Sequence, residues 1–134
     1  RVVRRSFPIT KLPDIVYAYY SDHRVKEMRD AAGITRFTYW PSRRVRSVLY
    51  DYRLSGLATI QRLDYVYFAD GSLSSVTWIN GTSVVGTWRY GYDKAGRLNA
   101  VTSPWGEQTT YVYDGEGKRI RQVNSNGTTT AYRY

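Results

Sequence analysis

The chain has 134 residues, a net charge of +9, 16% aromatic residues and no cysteine. That length holds one ordinary domain or several small repeats, and a mean hydropathy of −0.53 with 42% hydrophobic residues argues against disorder. The missing cysteine excludes disulfide frameworks and thiolate zinc sites, and no apolar run approaches ~18 residues, so no membrane span is expected.

Residues 1–16 read as a lead-in strand or irregular segment, interrupted by Pro8 and Pro13. Arg1-Val2-Val3-Arg4-Arg5 has neither Met nor a long apolar stretch and does not read as a signal peptide. Residues 17–134 form the second segment, and there the tyrosines set the pattern. Twelve of the fourteen fall in Tyr-x-Tyr pairs: Tyr17/Tyr19, Tyr50/Tyr52, Tyr65/Tyr67, Tyr90/Tyr92, Tyr111/Tyr113 and Tyr132/Tyr134. Phe37-Thr38-Tyr39 is a seventh with Phe substituted. Residues i and i+2 of a strand share a face, so each pair sets two rings side by side. Tyr also packs well on a pleated, half-buried surface. The stretch from Arg24 to Ala32 has some helical propensity, but its alignment with the repeat predicts a strand.

The repeat is most regular near the C-terminus, where Tyr92 to Tyr113 and Tyr113 to Tyr134 are each 21 residues. Tyr67 to Tyr92 takes 25, Tyr19 to Tyr39 takes 20, and the 28 residues from Tyr39 to Tyr67 do not align cleanly. In the regular units a Tyr-x-Tyr strand runs into Asp93-Lys94-Ala95-Gly96 or Asp114-Gly115-Glu116-Gly117. Asp at the first turn position bonds the backbone two residues on, and Gly at the fourth accepts positive φ, which predicts a hairpin closed by a Gly bulge. Arg97-Leu98 to Val101 is the return strand, Pro104-Trp105-Gly106 and Asn126-Gly127 are second turns, and threonines lead into the next pair. Leu98 and Val101 are three apart and would face opposite ways in a regular strand. A bulge between them, or a sheet buried on both sides, reconciles this. The expected class is all-β: repeated antiparallel hairpins in a continuous twisted or spiralling sheet.

The charge is uneven. Residues 1–67 carry 13 Lys/Arg against 6 Asp/Glu, while residues 68–134 carry 7 against 5. This reads first as a solvated strand face with edge-protecting charges and second as a patch for an anionic partner. His23, the only histidine, stands where the turn Gly is expected and reads as an exposed turn residue. Asp93 and Asp114 read as turn caps rather than paired catalytic carboxylates. No metal, cofactor or catalytic residue is expected, and the chain reads as a non-enzyme. Of the tryptophans Trp40, Trp78, Trp88 and Trp105, the last sits in a turn and is the best candidate for exposure; with Arg43, Arg44 and Arg46 it is a candidate glycan contact.

The motif Tyr-x-Tyr-Asp-x-x-Gly-Arg-Leu-x-x-Val-x-x-Pro-x-Gly at Tyr90–Gly106 resembles the YD-repeat (rearrangement-hot-spot, Rhs) family. The resemblance covers about residues 17–134. Members include bacterial Rhs toxins, the C components of insecticidal toxin complexes, wall-associated bacterial proteins and animal teneurins. It implies a β-sheet ribbon that spirals into a shell, enclosing a cargo polypeptide in the toxins and supporting cell–cell adhesion in the teneurins. It marks Tyr90, Tyr92, Asp93, Gly96, Leu98, Tyr111, Tyr113, Asp114, Gly117, Tyr132 and Tyr134 as structural repeat residues. The self-cleaving Asp-Pro motif of toxin shells has no counterpart: Phe7, Leu12, Trp40 and Ser103 precede the four prolines. The chain is therefore expected to be a scaffold or shell fragment of a larger secreted or cell-surface protein. Its expected partners are further YD repeats of the same or another chain, an encapsulated polypeptide, or an acidic glycan. A glycan-binding adhesin and a self-assembling extracellular filament are the alternatives.

Overall fold

The computed structural model of the chain describes residues 2–5, 14–54 and 57–134. Their strands, in chain order, are β1 (Val2–Arg5), β2 (Ile15–Tyr19), β3 (Val25–Arg29), β4 (Gly33–Tyr39), β5 (Val45–Leu54), β6 (Leu57–Tyr67), β7 (Leu73–Asn80), β8 (Ser83–Tyr92), β9 (Leu98–Thr102), β10 (Gln108–Tyr113), β11 (Arg119–Asn124) and β12 (Thr129–Ala131). Strand order in the sheet follows sequence order. The ladders from β1 to β6 and from β8 to β12 are antiparallel. The expected all-β class and repeated hairpins are what the chain adopts, and the described residues contain no helix. Val25–Arg29 is a strand despite its helical propensity, because its register on β2 places Met28 opposite Tyr17 and Val25 opposite Tyr19. Tertiary pairing overrides a weak local preference. Pro8 and Pro13 lie outside the described residues.

The chain forms two compact units. One comprises Arg1–Asp64 and Trp78–Val85, the other Tyr65–Thr77 and Gly86–Tyr134. In the first, Val48 and Ile79 are the buried apolar residues among those described, and Thr35 is also buried, its Oγ1 3.3 Å from the Tyr52 hydroxyl. Gly33 lies opposite Tyr52, and a Cβ there would stand 2.2 Å from the Asp51 carbonyl oxygen. In the second unit no described side chain is fully buried; the tyrosines of its strands, and the threonines of all but β12, are half-buried. Its tightest backbone approach is at Gly86, where a Cβ would meet the Pro104 ring at 2.3 Å.

The strands differ in length: β5, β6 and β8 have 10, 11 and 10 residues. The stretch that would not align contains the β5–β6 hairpin, paired from Ser47↔Asp64 to Leu54↔Leu57. That continuous ladder replaces the bulge-and-turn punctuation of the other units. The Tyr132/Tyr134 pair is not part of a strand, for β12 ends at Ala131. Tyr111 and Tyr113 extend a strand that pairs with β9 and β11. Tyr132 still donates its N–H to the Ile120 carbonyl at 2.9 Å, at the point where β11 is irregular.

Candidate functional site

Seven turns share one backbone. In Tyr20–Arg24, Trp40–Arg44, Phe68–Ser72, Asp93–Arg97, Ser103–Glu107, Asp114–Lys118 and Asn124–Thr128, the first residue's N–H donates to the fifth's carbonyl, and the fourth's N–H donates back to the first's carbonyl. The fourth residue has positive φ: 92° at Gly71, 79° at Gly96, 85° at Gly106, 84° at Gly117 and 86° at Gly127. The first two turns place His23 and Arg43 there, each at φ 69°.

In the regular turns the opening carboxylate holds the loop. Asp93 Oδ1 accepts from the N–H groups of Ala95 and Arg97, both at 2.9 Å, and Asp93 Oδ2 accepts from Arg97 Nε at 2.8 Å. The Arg97 N–H, followed by the Arg97 side chain and the Ala95 N–H, holds the Asp93 carboxyl below its ordinary value against partial desolvation. Asp114 repeats the backbone part, accepting from Glu116 and Lys118 at 2.9 Å each. Arg97 also extends Nη1 to the Asp114 carbonyl at 3.4 Å, tying one turn to the next of its kind.

A bulge follows each of four such turns. Tyr19 faces Val25 while Ala18 faces Glu27, which leaves Lys26 unmatched. Arg46, Asn99 and Ile120 are unmatched in the same way. The bulge at Asn99 brings Leu98 opposite Tyr92 and Val101 opposite Tyr90, so the three-residue spacing is reconciled by an extra residue.

In three pairs the second tyrosine reaches the opening residue of an earlier return strand. Tyr39 Oη donates to the Val25 carbonyl at 2.8 Å, Tyr92 Oη to the Leu73 carbonyl at 2.9 Å, and Tyr113 Oη to the Leu98 carbonyl. A cation or ring covers the same tyrosine. Arg24 lies 4.5 Å from the Tyr39 centroid, Arg97 4.8 Å from Tyr113 and Lys118 5.7 Å from Tyr134, while Phe68 meets Tyr92 edge-on at 6.2 Å. Burial pushes the Tyr39 hydroxyl above its ordinary value against the pull of the Arg24 charge. Burial likewise raises Tyr92, with Tyr90 and Asp70 adding to it. Both hydroxyls therefore stay protonated as donors well beyond neutral pH. The remaining repeat tyrosines are tied differently: Arg119 lies 4.3 Å from the Tyr111 ring, and Tyr132 Oη donates to Gln122 Oε1 at 3.2 Å.

Trp105 is 68% exposed at the tip of its turn and meets Trp88 edge-on at 5.8 Å. Arg43 and Arg44 are exposed on the Trp40–Arg44 turn, and Arg46 is exposed with its guanidinium 4.7 Å from the Trp40 centroid. Sequence reasoning missed Arg24, Val25 and Tyr39 as a lock, and missed Trp40–Arg44 as a turn. The only signal for the latter was Pro41, a residue favoured at the second turn position.

Residues 92–129 match the family model described as RHS Repeat. No curated protein matches the chain. Among solved structures, the crystal structure of TcdB2-TccC3-Cdc42 is similar at 16% identity with a TM-score of 0.50, covering 91% of this chain and 8% of that one. TcdB2-TccC3-TEV (15% identity, TM-score 0.46) and TcdB2-TccC3 without hypervariable C-terminal region (14%, 0.47) each match over 90% of this chain and 8% of theirs. The chain thus spans less than a tenth of the length of these solved chains. The turns at Asp93, Ser103, Asp114 and Asn124, each with a glycine at positive φ, all fall within the segment that is similar to the RHS Repeat model.

Proposed function

We propose that the chain is a structural segment of a secreted or cell-surface repeat protein, one stretch of a scaffold or encapsulating wall, and not an enzyme. The observation that carries this reading is the tyrosine lock: Tyr39, Tyr92 and Tyr113 each complete a carbonyl left by an earlier return strand. A unit whose hydrogen bonds are completed by the next unit is an element of an array. Few of the described side chains are buried, so the sheet faces suit contact with a partner. Further repeats of the same or another chain, and a polypeptide enclosed by the wall, are the partners this implies. The likeness to the TcdB2-TccC3-Cdc42 structure supports the fold of such a wall.

The test is the intact mass and cellular fraction of the protein that carries this sequence in its natural source. A mass far above 15.5 kDa in the surface or culture fraction supports the reading. A free 15.5 kDa cytosolic species that turns over nucleic acid or glycan would overturn it.

A further inference from the structure

The two turns without glycine carry basic residues in matching places. His23, Arg24 and Lys26 precede Arg43, Arg44 and Arg46 by 20 positions. In each set the first residue holds φ 69°, the second closes the turn, and the third is the bulged residue. Both turns join alternate pairs of neighbouring strands at one end of the first unit. They therefore sit two inter-strand spacings apart, about 10 Å. The Asp22 carboxyl registers this proximity. It is held below its ordinary value first by the side-chain bond from Arg24, and the charge of Arg43 adds to the effect.

Three observations give the pair of turns a role. A side chain at positive φ is strained, and the other five turns of this kind avoid the strain with glycine. Two aligned turns accept it, and both set a basic side chain there. The acids of these turns and strands are engaged: Asp22 with Arg24, Glu27 with Arg29 and Arg36, Asp51 with Arg36. The aromatic faces are covered by cations: Tyr39 by Arg24, Tyr20 by Lys26 at 5.7 Å, and Trp40 by Arg46 at 4.7 Å. Covered rings offer no platform for stacking bases, which disfavours single-stranded nucleic acid. Residues 20–26 and 40–46 hold five Lys/Arg against one acid, Asp22, an excess of positive charge for a ligand recognised by charge.

We propose that the turns Tyr20–Arg24 and Trp40–Arg44, with Lys26 and Arg46, form a docking surface for a linear acidic polysaccharide, whose carboxylates or sulfates lie along two cationic rungs. This surface is independent of the scaffold reading. The test titrates the full 134-residue chain against fluorescein-labelled heparin oligosaccharide, polygalacturonate and oligothymidine, by anisotropy at low and high salt. Binding to at least one polysaccharide, weakened by salt, is expected. Arg43→Ala/Arg44→Ala/Arg46→Ala weakens it about tenfold or more. His23→Gly/Arg43→Gly weakens it while raising the urea midpoint, so lost binding cannot be lost folding. Lys94→Ala/Arg121→Ala/Arg133→Ala, which removes equal charge from exposed sites of the second unit, leaves it unchanged. Equal loss in that control, tighter binding of oligothymidine than of either polysaccharide, or no salt-sensitive binding would each overturn the proposal.

Discussion

The turns Asp93–Arg97 and Trp40–Arg44 make the same two backbone hydrogen bonds, yet share only their closing arginine. In the second unit a carboxylate opens the turn and a glycine closes it. In the first unit Trp40 opens it and Arg43 takes positive φ. The backbone geometry is thus common property of the array, while the side chains that support it are exchangeable. The units also differ in burial: Val48, Ile79 and Thr35 belong to the first, and the regular second unit has no fully buried described side chain. Where the sequence follows the consensus, turn capping and tyrosine locks carry the structure. Where it drifts, longer ladders and a small core accompany the strained turns.

Mutations sharpen this contrast. The largest effect is expected at Gly33→Ala in the first unit, where the added methyl meets backbone at 2.2 Å and 2.8 Å. Overpacking against atoms that cannot swing away costs about 3 kcal/mol, read as a lowered urea midpoint. Tyr113→Phe in the second unit and Tyr39→Phe in the first remove a hydroxyl from a carbonyl. Each is expected to cost about 1–2 kcal/mol; equal losses in the two units would show that the lock outlasts the consensus. Changes at the fourth turn position should have opposite signs. Gly96→Ala destabilises and Arg43→Gly stabilises, each by about 1 kcal/mol, and a destabilised Arg43→Gly would show that the side chain supports the fold. The smallest effect is in pH dependence. The Asp93 carboxyl is lowered in the folded chain, so its stabilisation is complete above the ordinary value of 3.8 and is lost as pH falls through the folded value. Asp93→Asn should flatten acid denaturation in that window, and an unchanged profile would remove Asp93 as its source.

Much of this was legible in the sequence because it is local. Tyr-x-Tyr announces a strand, and Asp-x-x-Gly states both the cap and the positive φ within four residues. The spacing of Leu98 and Val101 even pointed to the bulge at Asn99. The lock was not legible, since Tyr39 and Val25 are 14 residues apart and Tyr92 and Leu73 are 19 apart. Which carbonyl a hydroxyl reaches depends on register, and register emerges only after the bulges have shifted it. The turn at Trp40 was hidden for the opposite reason: it has neither the carboxylate nor the glycine that advertise its relatives. Trp105 lay between these cases. Pro104 and Gly106 marked its turn, whereas its edge-on contact with Trp88 required the pairing of β8 with β9.

The recurring bulge has a further consequence. A plain ladder can slip by two residues and keep its faces, and such a slip would be inherited by every strand after it. An unmatched residue beside four of the turns, joined at two of them by a distant hydroxyl fixed on the adjoining carbonyl, removes that freedom at those hairpins. A slip is stopped at the next such anchor. An array phased in this way tolerates insertions between its anchors, and spacings of 20, 21, 25 and 28 residues can follow one another in a single chain.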